Sequence, residues 1–336
     1  MTTSQQKPIT VLGAGSWGTA LALHLARNNQ TVRLWTIEAD HVPEMAKERA
    51  NKRYMPGYPF PDALQPYSDL QEAITGVDDI LVAVPSVGFR DTLTALKPIL
   101  QPNMRIVWAT KGLDLNNGEL LHDIVIEILG EKFPCAVLSG PSFAKEVAAG
   151  LPTAVVIASH YPDFAQELLT RFNSPRFRVY LSNDIVGVEI GGVVKNVLAI
   201  ATGISDGMKF GANARCALIA RGLAEMMRLG TTLGGQPETI TGLAGLGDLV
   251  LTCTDDQSRN RRFGLALGKG QNVTEAEKEI GQVVEGKRNA ELVIQLASQH
   301  NVEMPIAEMV WSILQGKLSP DDAMQNLLSR ETKAEA

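Results

Sequence analysis

Ile9-Thr-Val-Leu-Gly13-Ala-Gly15-Ser16-Trp17-Gly18 is a short apolar run ending in a Gly-x-Gly-x-x-Gly turn, and an apolar-periodic segment over 19–26 starts on the next residue. The run reads as a strand, the glycines as a tight turn and the periodic segment as a helix. Each missing Cβ has a use: Gly13 permits the turn, Gly15 lets backbone approach a pyrophosphate, and Gly18 lets the helix pack on the strand. The helix N-terminus adds unpaired N–H groups, which suit an anion. A glycine-rich loop without chemical meaning is the competing reading of the bare pattern. The strand before it and the helix after it weigh against that reading.

Working outward, short β-branched runs recur at 32–35, 80–84, 105–109 and 136–138, alternating with helical stretches. The alternation predicts βαβ units, and the unbroken apolar blocks predict parallel strands covered on both faces. Residues 153–158 and 177–181 read as two further strands. After Ser182 the pattern turns to helical periodicity punctuated by glycine, apart from a strand-like piece around Thr239. The expected fold class is α/β: a Rossmann-type, mostly parallel sheet domain over 1–184, followed by an all-helical C-terminal domain over 185–336. The charged end from Arg330 onward is expected to fray.

With 336 residues, 45% hydrophobic and 20% charged, the chain can bury a large core, which excludes disorder, collagen and small disulfide scaffolds. Lys and Arg number 31 against 37 Asp and Glu, a net charge of −6, so no global basic field exists for nucleic acid or an anionic membrane. An anionic small-molecule substrate then needs a local pocket. Cys135, Cys216 and Cys253 are odd in number and far apart, as expected of reduced thiols in the cytoplasm. The five histidines show no ligand spacing, so no metal site is expected. Gly13, Gly15 and Gly18 interrupt the first apolar stretch, which argues against a signal peptide. Residues 185–204 hold Glu189, Lys195 and four glycines, too many for a membrane span, so a soluble chain without stable membrane insertion is expected. The oligomeric state stays open, a homodimer among the options.

Glu38 lies 20 residues after Gly18, beyond the second strand, where an acid accepts from the adenosine ribose hydroxyls. This favours NAD. Lys52, Arg53 or another loop cation remains available to the 2′-phosphate of NADP, so cofactor preference stays open.

In Val188-Glu-Ile-Gly191-Gly192-Val-Val-Lys195-Asn196, the helical neighbours of Lys195 are Gly191, Gly192, Leu198 and Ala199. On so apolar a face, desolvation lowers a lysine's pKa toward the working pH, as an acid/base requires. The glycines leave room for a substrate or nicotinamide. Two plainer readings compete: a stem that snorkels to water, and an ion pair with Glu189. Asn196 beside the lysine, and Thr202 two turns on, favour function.

Asp248 and Thr252 share a helical face, suited to substrate hydroxyls or to a catalytic ammonium. Ser258 reads as an N-cap; with Arg259 and Asn260 it gathers hydroxyl, guanidinium, amide and backbone N–H groups for a phosphate dianion. An ordinary solvated helix face balanced by Asp255 and Asp256 is the alternative. In the loops after the predicted strands, Ser86, Lys111 and Gly140-Pro-Ser142-Phe-Ala144-Lys145 occupy the edge where open α/β sheets bind ligands.

Taken together, Gly13 to Ala22, Trp108-Ala-Thr-Lys111-Gly-Leu113, Ser139 to Glu146, Gly192-Val-Val-Lys195-Asn-Val197, Gly211-Ala-Asn-Ala-Arg215, Ala244 to Asn260 and Gly281-Gln-Val-Val-Glu285-Gly286 resemble the bacterial NAD(P)-dependent glycerol-3-phosphate dehydrogenase family. The matching segments run through nearly the whole chain in order. The resemblance implies that Ser16 and Trp17 contact the dinucleotide, Lys111 both cofactor and substrate, Gly140 and Ser142 the substrate, and Ala144 the cofactor. It makes Lys195 catalytic, places Asp248, Ser258, Arg259 and Asn260 on the substrate, and sets Arg259, Val283 and Glu285 near the cofactor. Ile37 departs from the polar or basic residue that many relatives carry there. A cytoplasmic enzyme supplying glycerol 3-phosphate for phospholipid synthesis is implied.

The expected chemistry is hydride transfer to C2 of dihydroxyacetone phosphate, with Lys195 protonating the alkoxide in a cleft between the domains. Lys111 and Asn196 polarise and orient the carbonyl, and Asp248 positions the lysine or a substrate hydroxyl. A related two-domain 3-hydroxyacid dehydrogenase, or a non-catalytic dinucleotide-sensing protein, would share much of this pattern. The first needs a carboxylate clamp in place of residues 258–260, and the second leaves the buried-looking lysine unexplained.

Overall fold

The computed structural model describes residues 7–329, so the segment from Arg330 lies outside the described residues. Eight strands form one sheet: β1 (Ile9–Leu12), β2 (Val32–Trp35), β3 (Leu64–Tyr67), β4 (Asp79–Val82), β5 (Arg105–Trp108), β6 (Cys135–Ser139), β7 (Thr153–Ala158) and β8 (Phe177–Ser182). Their order is β3-β2-β1-β4-β5-β6-β7-β8. Every pair is parallel except β6 with β7, where Leu138 faces Ile157. β1 and β4 are buried along their whole length, as the unbroken apolar runs require of strands covered on both faces. Crossing from β1 to β4 reverses the direction of winding, and the Gly-rich turn after β1 opens at that switch point.

β3 was not anticipated. Its sequence Leu-Gln-Pro-Tyr carries a proline and little apolar signal, which the sheet tolerates because β3 is an edge strand. The strand-like piece around Thr239 is instead a short helix, Pro237–Ile240, opened by a proline in its first turn.

The chain divides into two compact units, 1–189 and 190–336. The division falls inside the helix Ile185–Gly207, a few residues after the expected boundary at 184. Glu189 explains the shift. Its carboxylate accepts from Trp108 Nε1 at 3.1 Å and from the His122 backbone N–H at 3.2 Å, and it pairs with His122 Nδ1 at 2.6 Å. The start of the helix is thus bound to the end of β5 and to the helix Leu121–Leu129. Burial alone would lower the His122 pKa; the hydrogen bond and charge of Glu189 outweigh it, and the net shift is upward.

By length and mean hydropathy alone Ile185–Gly207 could cross a membrane, but 89% of its apolar stretch is buried inside the protein, in keeping with the expectation of no stable membrane insertion. Its glycines do not weaken it; they are contact points. A Cβ on Gly203 would land on the Arg261 carbonyl, and one on Gly207 would lie 2.5 Å from the Leu265 carbonyl oxygen. Gly264 and Gly268 of the helix Arg259–Gly268 return the contact against Ile200 and Ile204. Two backbones thereby approach more closely than any side chain allows.

Candidate active site

In the first unit the Gly-rich turn has the geometry of a dinucleotide cradle. Gly13 has φ +110°, closed to residues with a Cβ, and an added methyl would meet the Ala83 carbonyl at 2.9 Å. A Cβ on Gly18 would strike the backbone of Gly13, so the helix Ser16–Arg27 docks directly on the turn. A Cβ on Gly15 would meet nothing within 4 Å, and no side chain caps the helix at that position. Open space in front of an uncapped helix N-terminus fits a pyrophosphate. Trp17 adds a buried indole N–H that has no partner within the protein. Ser16 Oγ donates to the Tyr54 carbonyl at 2.8 Å.

Tyr54 and Asn51 escaped sequence reading, since nothing periodic marks residues 49–60. Asn51 Nδ2 donates to the Ala14 carbonyl at 2.7 Å and to Thr19 Oγ1 at 2.8 Å, fastening this loop to the turn. Tyr54 OH then donates to Glu38 Oε1 at 2.6 Å. The only advance signal was an asparagine and a tyrosine in a loop, too common a pattern to select.

Further along the same unit, Lys111, Gly140 and Ser142 come together. Lys111 Nζ donates to the Gly140 carbonyl at 3.1 Å and Ser142 Oγ to the same oxygen at 2.9 Å. Gly140 has φ +139°, and a Cβ there would lie 3.0 Å from Val155 Cα. Ala144 begins the short helix Ala144–Ala149, so Ser142 sits just outside it and does not cap it. Ser86 is buried in the 3₁₀ turn Ser86–Gly88 after β4.

In the second unit Lys195 Nζ donates to Asp248 Oδ1 at 2.5 Å and to Thr252 Oγ1 at 3.1 Å. Lys195 is 7% exposed and Asp248 1%. Thr252 Oγ1 in turn donates to the Asp248 backbone carbonyl at 2.6 Å, as the shared helical face allows. The lysine therefore neither reaches bulk water along its stem nor pairs with Glu189, which is held by His122 and Trp108. The expected room beside Gly191 is absent, because the backbone of Ala244 fills it: a Cβ would overlap that carbonyl. Thr202 turns to the Ala199 carbonyl, 3.1 Å away.

Ser258 is an N-cap; its Oγ accepts from Arg261 N–H at 3.2 Å and opens the helix Arg259–Gly268. Asn260 Nδ2 donates to Asn196 Oδ1 at 2.8 Å, Asn260 Oδ1 accepts from Gly286 N–H at 2.9 Å, and Asn196 Nδ2 donates to the Gly192 carbonyl at 3.2 Å. The two amides brace the lysine-bearing helix against the helices at 259 and 285. Arg259 is half-buried; desolvation lowers its pKa while the Glu285 charge opposes that shift. Glu285 opens the helix Glu285–Gln299, and Val283 just before it is 41% exposed. Among the described residues no three His, Cys, Asp or Glu side chains gather as a metal site.

A dinucleotide cradle on a mostly parallel sheet, followed in one chain by a helical unit with a buried Lys–Asp pair, defines a two-domain nicotinamide-dependent oxidoreductase. Comparison with known proteins gives the particular family. The N-terminal model of NAD-dependent glycerol-3-phosphate dehydrogenase matches residues 8–165, and the C-terminal model matches 184–325. The glycerol-3-phosphate dehydrogenase [NAD(P)+] of Coxiella burnetii is 57% identical over 98% of both chains, and that of Haemophilus ducreyi 54% identical over 100% of both. A crystal structure of the Coxiella burnetii enzyme, 56% identical, superposes with a TM-score of 0.94 over 97% of this chain and 99% of that one. The chain belongs to the NAD-dependent glycerol-3-phosphate dehydrogenase family.

Proposed function

We propose that the protein reduces dihydroxyacetone phosphate to sn-glycerol 3-phosphate, reversibly, with NADH or NADPH. The observation that carries the mechanism is the buried Lys195–Asp248–Thr252 cluster. A bound reduced nicotinamide supplies the hydride that adds to C2. Lys195, as an ammonium, gives one proton to the oxygen that becomes the hydroxyl and is left as a neutral amine, which water reprotonates. Asp248 offsets the cost of burying that ammonium and, with Thr252, fixes the direction of its remaining N–H bonds. In the oxidative direction the neutral amine accepts the hydroxyl proton.

Arg259 and the backbone N–H groups at the start of its helix are the groups we assign to the phosphate, with Ser258 shaping that terminus and Asn260 holding it against Asn196. Lys111, Gly140 and Ser142 are assigned to substrate, and Ser16, Trp17, Lys111, Ala144, Arg259, Val283 and Glu285 to the dinucleotide, on the family resemblance. A cytoplasmic role in supplying glycerol 3-phosphate for phospholipid synthesis is likewise assigned on the family resemblance.

The test is NADH oxidation by purified protein with dihydroxyacetone phosphate, beside unphosphorylated dihydroxyacetone. Rapid oxidation with the phosphorylated ketone alone is expected. Tight NADH binding without oxidation would move the assignment to a 3-hydroxyacid or to a sensing role.

A further inference from the structure

Beyond β2 the chain surrounds Arg53, a candidate for a 2′-phosphate, with acid. Arg53 Nη1 donates to Glu38 Oε2 at 3.3 Å, and Nη2 donates to Asp40 Oδ2 at 3.1 Å and Glu44 Oε2 at 3.4 Å. One guanidinium against three carboxylates leaves the cluster at a formal −2. Three other cations of this region are also engaged. Lys52 pairs with Glu48 at 2.6 Å, Arg33 donates to the carbonyls of Glu72, Ala73 and Thr75, and Arg49 donates to Gln65 and the Pro61 carbonyl. Ile37, 83% exposed, offers no polar group at the place where a phosphate would need one.

Glu38 is held in place independently of Arg53. Tyr54 OH donates to its Oε1, the Glu38 backbone N–H bonds Thr36 Oγ1 at 3.2 Å, and the Tyr54 carbonyl is tied to Ser16 at the head of the first helix. Buried His41 supports the arrangement from below, its Nδ1 3.6 Å from Glu38 Oε2 and its ring edge-on to Tyr54. The carboxylate that would meet the adenosine ribose is therefore rigidly linked to the dinucleotide cradle. The hydrogen bond from Arg53 holds the Asp40 carboxyl below its ordinary value, so Asp40 stays charged at neutral pH.

We propose that the Glu38–Asp40–Glu44 cage around Arg53 sets the cofactor preference: the ribose 2′-hydroxyl of NAD donates to Glu38, and the 2′-phosphate of NADP is repelled. The phosphate brings roughly two further negative charges to a site already net negative, and Arg53 is already paired with three carboxylates. The proposal rests on the dinucleotide reading of the Gly-rich turn and is independent of which ketone is reduced.

The experiment is calorimetric titration of the whole protein with NADH and with NADPH. Wild type is expected to bind NADH at least tenfold more tightly, on the order of what two nearby charges impose at a screened surface. Asp40→Asn with Glu44→Gln, a pair of substitutions outside the core that leaves Glu38 and Tyr54 intact, is expected to tighten NADPH about tenfold and leave NADH unchanged. Adding Arg53→Ala to that pair should cancel the gain, showing that the freed guanidinium is what the phosphate meets. Equal or tighter NADPH binding by wild type, or an unmoved ratio in the double variant, overturns the proposal. Binding of neither dinucleotide overturns the cradle reading with it, while failure to turn over dihydroxyacetone phosphate leaves the binding ratio as it stands.

Discussion

Lys195 Nζ and Asp248 Oδ1 lie 2.5 Å apart with almost no solvent contact at either residue. The lysine belongs to the long apolar helix and the aspartate to the first turn of Asp248–Thr254, which is reached through the π-helical turn Leu243–Gly247. Two charges so buried stabilise one another at a desolvation cost that fills no structural need an apolar pair could not meet more cheaply. The acid/base role proposed above accounts for their presence.

Replacing Lys195 by Met should lower turnover by about a thousandfold or more, the scale of a lost general acid, while NADH affinity stays within twofold. Asp248 would then be a buried charge without its cation, so a loss of roughly 3–5 kcal/mol in stability is also expected. Lys195→Met with Asp248→Asn removes that penalty. Turnover near wild type in the folded double variant would sink the acid/base assignment.

Gly15 and Gly18 separate binding from folding. Gly15→Ala puts a methyl into open space, so unfolding should shift by less than about 0.5 kcal/mol while dinucleotide affinity falls. Gly18→Ala drives a methyl into the Gly13 backbone and should cost about 1–3 kcal/mol or more. Chemical denaturation and NADH titration of both variants check the contrast; equal loss of stability would remove it.

The Gly264–Ile200 contact gives a similar test in the helical unit. Gly264→Ala overlaps the Ile200 carbonyl, and the two helices must separate to admit it, so the midpoint of thermal unfolding should fall. Gly281→Ala, at a surface C-cap with φ +65° and no neighbour within 4 Å, should cost about 1 kcal/mol through backbone strain alone.

Glu225 makes stability depend on pH. It is buried, and desolvation pushes its pKa from 4.5 up to about 7, against the opposing hydrogen bonds from the Ile306 and Ala307 N–H groups. Because the folded value is the higher one, its contribution is fully present below pH 4.5 and is lost as pH rises through about 7. Wild type should therefore lose on the order of 3 kcal/mol from this group between pH 4.5 and about 7. Glu225→Gln should flatten that slope; an unchanged slope would mean the carboxyl titrates normally.

Thiol reactivity should follow burial. Cys216 is exposed, whereas burial pushes Cys135 and Cys253 up to about 12. A thiol reagent should label one cysteine in the native protein and three after denaturation. Labelling of Cys253, which lies beside Thr202, in the native protein would mean that the lysine-bearing core opens to solvent.

Periodicity and glycine placement carried much in advance. The strand–turn–helix start, the parallel core strands and the helical character of the second half all follow from local patterns, because covered strands and amphipathic helices each impose their own spacing on apolar residues. β3 escaped because an edge strand needs few apolar residues and tolerates Pro66, and Thr239 misled because a β-branched residue next to Ile240 also fits a four-residue helix. Gly191 was assigned to substrate space when it is filled by Ala244, since a missing side chain looks the same in sequence whether ligand or backbone takes its place.

The sequence by itself determined where the strand, Gly-rich turn and helix form and that a lysine lies on an apolar helical face, since both depend on neighbours within a few residues along the chain. Only the tertiary structure decided the partners. Lys195 meets Asp248 across 53 residues and not Glu189 six residues away, Asn260 meets Asn196 across 64, and Glu38 meets Tyr54 across 16. Pairing of buried charges and amides is settled by which backbones approach, and that approach is set by distant glycine contacts and core packing that no local pattern records.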